Sequence, residues 1–321
     1  MNRFLKCAVL LAGSLLFGSV AVAQETPKSI TVLSPFGQGP DALNPAAIVF
    51  TEMLGERLGT KAELVFDKSL GNVTGYTCTK APADGSVVLF GGFGPAVLDT
   101  WYEKLPYTPS EQLRYVGQVS WMPIMLFAAP DAPFDDLHSF IDYAKKNPGM
   151  TVGIGKPRGG SPEPSTALLA KLAGIELNFT DQSVNDLAEG KIMAAAFHPF
   201  GAQHKAVLAG KAKPIATYTP ERLPYYPETP TLIEQGYPMA FTSWRIVAVP
   251  RATDDATFNK LVAAVESIAK DPRFHAALSS PSHELPMWRG PEETQKWIDA
   301  QTSAYGKIIE YVGLTGSREK K

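Results

Sequence analysis

A two-lobe α/β fold is the architecture this sequence predicts, and three observations carry it. Short apolar, β-branched runs alternate with longer segments of helical periodicity, the pattern of strand–helix–strand units. The chain has 321 residues, more than one compact core usually serves. Its composition, 45% apolar and 19% charged, is that of an ordinary globular protein.

The elements follow in order. Residues 30–33 read as a strand. Residues 42–58 read as a helix with Ile48, Phe50, Met53, Leu54 and Leu58 on its apolar face and Gly59 as its stop. A strand at 62–66, a short helix at 72–81, a turn at Pro82-Ala83-Asp84-Gly85 and a strand at 86–90 come next. Such alternation predicts parallel pairing with right-handed crossovers. A second region starts near Met122. It holds strands at 124–128, 151–155, 192–197 and 212–217, and helices at 134–146, 161–173 and up to Ala209. Residues 219–238 contain Pro220, Pro224, Pro227, Pro230 and Pro238, which resist regular structure and predict a wrapping loop. A strand at 244–249 and helices at 254–270, 271–279 and 292–312 close the fold, and 317–321 is a frayed polar tail.

Arg3 and Lys6, the apolar run 8–22 and the small-x-small site Ala21-Val22-Ala23 predict a secretory leader cleaved after Ala23, with a retained anchor as the alternative. Removing 1–23 takes away two basic residues and no acid, so the formal net charge goes from −2 to −4, which is no footprint for nucleic acid. Of two cysteines only Cys78 remains, so no intrachain disulfide forms, and a buried, inert thiol is expected.

Three glycine-bearing turns each follow a strand and precede a helix: Pro35-Phe36-Gly37-Gln38-Gly39-Pro40 before Asp41, Arg158-Gly159-Gly160-Ser161-Pro162-Glu163, and, more weakly, Phe90-Gly91-Gly92-Phe93-Gly94. A helix start leaves backbone N–H groups and partial positive charge for an anion, and glycine lets a ligand approach the backbone. Taken singly, such a turn is more often plain loop punctuation than a ligand site. Neither the dinucleotide nor the Walker A pattern occurs in the right setting. Catalytic signals are thin. His198 and His204 lie six apart, off a common helical face, so no metal site is expected. No nucleophile elbow occurs; Ser161 reads as a helix N-cap hydroxyl before a nucleophile. Lys156, Arg158 and Arg245 either clamp a carboxylate or stand in water. Phe36, Phe93 and Trp244 either wall a pocket or belong to the core.

The order of the pieces resembles the periplasmic solute-binding receptors of tripartite tricarboxylate transporters, the Bug-type family. The resemblance covers nearly the whole chain after residue 23. It rests on Ile30 to Phe36 with its turn, Ala81-Pro82-Ala83-Asp84-Gly85, Lys104-Leu105-Pro106-Tyr107, Gly160-Ser161-Pro162, Ala209-Gly210-Lys211, Arg222-Leu223-Pro224 with Pro230 to Gly236, Thr242-Ser243-Trp244, and Val312-Gly313-Leu314. It implies a two-lobe, type II-like Venus-flytrap receptor, each lobe a mostly parallel sheet flanked by helices, with two crossings. One lobe takes 24–122 and 244–316, the other 123–243. It also implies a small carboxylate ligand, a di- or tricarboxylate or an aromatic acid, pinched between Phe36 to Asp41 and Gly160 to Pro164. The ligand-binding set is then Phe36, Gly37, Gln38, Gly39, Asp41, Phe93, Arg158, Gly160, Ser161, Pro162, Glu163, His198, Trp244 and Arg245, with no catalytic residue, metal or cofactor. The sequence departs from the family pattern at Thr180 to Asn185, at Arg245 where an aromatic residue is usual, at Phe197-His198-Pro199, and at Gly37-Gln38-Gly39-Pro40. The expected product is a monomeric periplasmic receptor that serves membrane transporter subunits. A sensor ectodomain for a histidine kinase and an exported hydrolase using Ser161 or His198 are the alternatives.

Overall fold

The computed structural model describes residues 27–35, 44–66, 72–92, 94–155, 160–279 and 283–317. The expected leader, the first turn at Phe36 to Asp41, Phe93, Lys156, Arg158 and the last four residues lie outside these.

The chain opens with β1 (Ser29–Ser34), α1 (Asn44–Leu58), β2 (Lys61–Phe66), α2 (Asn72–Lys80) and β3 (Val87–Gly92). A π-helical turn, Gly94–Leu98, runs into α3 (Asp99–Tyr102), followed by α4 (Pro109–Gln112) and the long β4 (Leu113–Pro123). After Ile124 come β5 (Met125–Ala128), α5 (Leu137–Lys146), β6 (Met150–Gly153), α6 (Pro162–Ala173), β7 (Leu177–Thr180), α7 (Val184–Ala188), β8 (Ala194–Phe197), α8 (Gly201–Leu208) and β9 (Lys213–Thr217). The chain then returns through β10 (Thr242–Pro250) to α9 (Asp255–Ala269), α10 (Pro272–Ser279), β11 (Leu285–Arg289) and α11 (Pro291–Tyr311).

Two sheets result, one of six strands in the order β11-β4-β10-β3-β1-β2 and one of five in the order β7-β6-β8-β5-β9. The βαβ expectation holds where helices connect neighbours: β1 pairs in parallel with β2 and β3, and β6 with β7 and β8. The sheets are mixed rather than mostly parallel, because the strands that carry the chain between lobes run against the others. β10 is antiparallel to both β3 and β4, β11 to β4, and β5 to both β8 and β9. β4 passes into β5 through Ile124 alone, and the backbone there is tied to the return path: Ile124 C=O accepts from the Tyr218 N–H, and Tyr218 C=O from the Phe241 N–H.

Local chemistry explains the boundaries. Asp136 accepts from the Ser139 N–H at 2.7 Å and starts α5. α6 ends at Gly174. β4 and β11 were not foreseen. The apolar run of β4 is interrupted in the sequence by Gly117, Gln118 and Ser120, and β11 contains Pro286, which an edge strand tolerates. The proline-rich stretch 219–238 has no helix or strand. It is held by Arg222, whose Nε–H is shared between the two carboxylate oxygens of Glu234, and by the Tyr225 hydroxyl, which donates to the His283 carbonyl at 2.5 Å.

Two apolar clusters form the core. The larger runs without a break from Leu33 and Leu89 through Ile124 and Phe127 to Ala195 and Trp244, so it spans both sheets. The smaller packs α1, α9 and α10 on the first sheet, with Phe50 stacked on Phe90 at 4.4 Å. Cys78 is fully buried, and burial pushes its thiol up to about 12, which keeps it protonated and inert.

Candidate functional site

β6 and β8 are parallel neighbours, so the loops that follow them leave the same edge of the second sheet. Ligands bind at that carboxyl edge in open α/β sheets. After β6, Gly155 turns the chain with φ +70, a conformation glycine adopts at no steric cost. The chain then reaches Gly160, Ser161 and the first turn of α6, where Ser161, Pro162 and Glu163 are buried. After β8 comes His198. The register Met125↔Phe197 sets His198 beside Pro123, the last residue of β4.

Ser161 and His198 meet there. Ser161 Oγ lies 3.2 Å from His198 Nε2, and His198 Nδ1 lies 2.7 Å from the Pro123 carbonyl oxygen. The imidazole stacks on Phe200, with centroids 5.0 Å apart and planes at 17°. Ser161 does not cap α6 through its side chain, contrary to expectation; its hydroxyl is engaged with the histidine instead. Burial pushes His198 down to about 4, the nearby charge of Arg245 acts the same way, and the Pro123 hydrogen bond acts against them. His198 is therefore neutral at pH 7.

The sign of the linkage follows. An unfolded histidine titrates near 6.5, so between 6.5 and 4 the unfolded chain binds the proton first. The contribution of His198 to stability is complete above pH 6.5 and is lost as the pH falls toward 4. Urea titrations at pH 7 and pH 5 are expected to show a loss that is smaller in His198→Gln; an equal loss in both proteins contradicts this reading.

Arg245 and Trp244 are placed in the core, and we assign them no ligand contact. Arg245 is fully buried on β10 and gives its guanidinium to both oxygens of Glu284, with Nε at 2.9 and 3.1 Å and Nη2 at 2.7 Å. Ser120 Oγ donates to the same carboxylate at 2.6 Å, and the Phe90 ring lies 5.2 Å from the guanidinium carbon. Trp244 is fully buried and meets Trp297 edge to face at 4.6 Å. Sequence reasoning missed Glu284, the Pro123 carbonyl and Phe200. Only Glu284 had a signal, because an arginine inside an apolar strand requires a carboxylate partner.

Two surface hollows of about 410 and 480 Å³ lie elsewhere, one lined by Trp101, Asp299 and Lys307, the other by Tyr76 and Lys80. Neither contains a residue of the Ser161–His198 pair. Among the described residues no group of three or more His, Cys, Asp or Glu is placed to hold a metal.

A family pattern described as tripartite tricarboxylate transporter family receptor matches residues 55–314. The chain belongs to this receptor family. Protein BugT of Bordetella pertussis is similar to the receptor at 24% identity, over 89% of this chain and 90% of BugT. Among solved structures, R. palustris Rpa4515 with adipate is similar at 23% identity and a TM-score of 0.78, covering 90% of this chain and 99% of that one. MatC from Rhodopseudomonas palustris with bound malate is similar at 23% identity and a TM-score of 0.75, covering 88% and 98%. The fold is thus the two-lobe α/β arrangement of these proteins.

The family is one of solute-binding receptors and not of enzymes. Ser161 and His198 have the spacing of a nucleophile and base. An imidazole pushed down to about 4 is nevertheless a weak base at neutral pH.

Proposed function

We propose that this receptor is exported to the periplasm after loss of residues 1–23 and works there as a monomer. It captures a small carboxylate between the turn at 36–41 and the start of α6, and delivers it to membrane subunits of a tripartite tricarboxylate-type transporter. The observation that carries the ligand reading is the Ser161–His198 pair, which stands at the carboxyl edge of β6 and β8 and is tied to Pro123, where β4 leaves the first sheet.

Further features support it. Pro162 and Pro164 have no N–H, and the Glu163 N–H is bonded to the Gly160 carbonyl at 3.1 Å. The N–H groups of Gly160 and Ser161 are then those that meet a carboxylate at this helix start. On the other side Ser34 Oγ, fully buried at the end of β1, has no hydrogen-bond partner among the described residues. Two relatives of the same fold were solved with adipate and malate. Among the described residues no helix is long and apolar enough to cross a membrane. The lobes are 24–122 with 244–316, and 123–243, and they close about the crossings at Pro123 and Thr242 because the ligand binds the closed form better.

The test is a thermal-shift screen of the mature chain against mono-, di-, tri- and aromatic carboxylates, with mass spectrometry for products. A ligand at 100 times its dissociation constant adds about 2.7 kcal/mol, a rise of several degrees. One chemical class raising the midpoint with no product formed is expected. No rise across the panel contradicts the proposal.

A further inference from the structure

We infer that Ser161 meets the ligand as a hydrogen-bond acceptor, so that the site selects carboxylic acids with a hydroxyl or amino group on the carbon next to the carboxylate. The inference rests on the carboxylate seat proposed above.

The polarity is fixed by the backbone. The Pro123 carbonyl oxygen can only accept, so His198 Nδ1, 2.7 Å away, carries a proton. A neutral imidazole has one N–H, so Nε2 holds a lone pair. The atom 3.2 Å from it, Ser161 Oγ, must then be the donor. The single proton of the hydroxyl is committed to the histidine, and Oγ offers the ligand lone pairs alone. An ionised carboxylate is also acceptor-only and gains nothing there. A ligand O–H or N–H does gain a bond.

The same helix start is poor in donors. Pro162 and Pro164 contribute none, and the N–H groups of Glu163 and Ser165 are bonded to the carbonyls of Gly160 and Ser161. Ser165 Oγ also donates to the Ser161 carbonyl at 2.8 Å, which holds the residue in place. The carboxylate seat and the acceptor therefore converge on one residue, the N–H and the Oγ of Ser161. A ligand that uses both carries its donor beside its carboxylate.

Titration calorimetry on matched probes tests this: succinate against malate and aspartate, propionate against lactate, phenylacetate against mandelate, and adipate against 2-hydroxyadipate. In the wild-type chain the substituted member of each binding pair is expected to be tighter by about tenfold. Ser161→Ala is expected to bring that ratio close to one. His198→Phe, which keeps the stack on Phe200 and frees the hydroxyl to donate, is expected to shrink or invert it. Nitrogen-15 NMR of the imidazole in the ligand-free protein is expected to show His198 Nδ1 protonated and Nε2 not; the reverse assignment overturns the inference outright. Carboxylates that bind without discrimination within pairs overturn it while the receptor reading stands. Binding of none of the probes overturns both.

Discussion

Glu284→Ala is expected to destabilise the protein by about 3–5 kcal/mol, among the largest effects of any single substitution here. Both Arg245 and Glu284 are fully buried, and the carboxylate answers the guanidinium with both oxygens while accepting from Ser120. Truncation leaves a fully buried cation without that counter-charge. Desolvation of an ion is costly, and attraction offsets it only while the pair is intact. The double substitution Arg245→Met with Glu284→Leu removes both charges and keeps volume, so most of the loss is expected to return. Urea unfolding of the wild type, the single and the double variant decides the matter. A loss below about 1 kcal/mol in the single variant, or a double variant as unstable as the single, contradicts the account. The pair also bears on the site, because the charge of Arg245 is one of the influences that hold His198 neutral.

Trp244→Ala is expected to cost a similar amount, about 3–5 kcal/mol, through a different cause. The side chain is fully buried on β10, and its ring meets Trp297 of α11 edge to face. Removing it opens a cavity in the cluster that spans both sheets and ends an aromatic contact worth about 0.5–1.5 kcal/mol. Trp297→Ala, at a partly exposed residue, is expected to cost less, and the two losses are expected to couple rather than add. Equal and additive losses by urea unfolding contradict the assigned packing.

Much of the fold was legible from the sequence because the helices and buried strands carry their periods openly. The Gly174 stop and the proline-rich stretch 219–238 are local signals, and local signals survive without a structure. Strand direction was not legible. βαβ alternation speaks for neighbours joined by a helix and is silent about β4 and β10, which pair although 242 and 123 are far apart in the chain. Polar residues inside β4 hid it, since Ser120 and Gln118 face a buried network whose other members, Glu284 and Arg289, come from residues far along the chain.

The site was legible in part. Gly160, Ser161 and His198 were picked out, but nothing in their spacing shows that they touch; the register of β5 on β8 does that. Arg245 looked like a ligand clamp because a charge in an apolar strand asks for a partner, and the sequence does not say whether that partner is a solute or a glutamate thirty-nine residues on.

The most direct measurement is a crystal structure of the mature chain grown with the tightest carboxylate from the screen. The account predicts the ligand between the two lobes, its carboxylate on the Gly160 and Ser161 N–H groups and within reach of the turn at 36–41. A ligand bound in either outer hollow, or one that leaves Ser161 and His198 untouched, contradicts it.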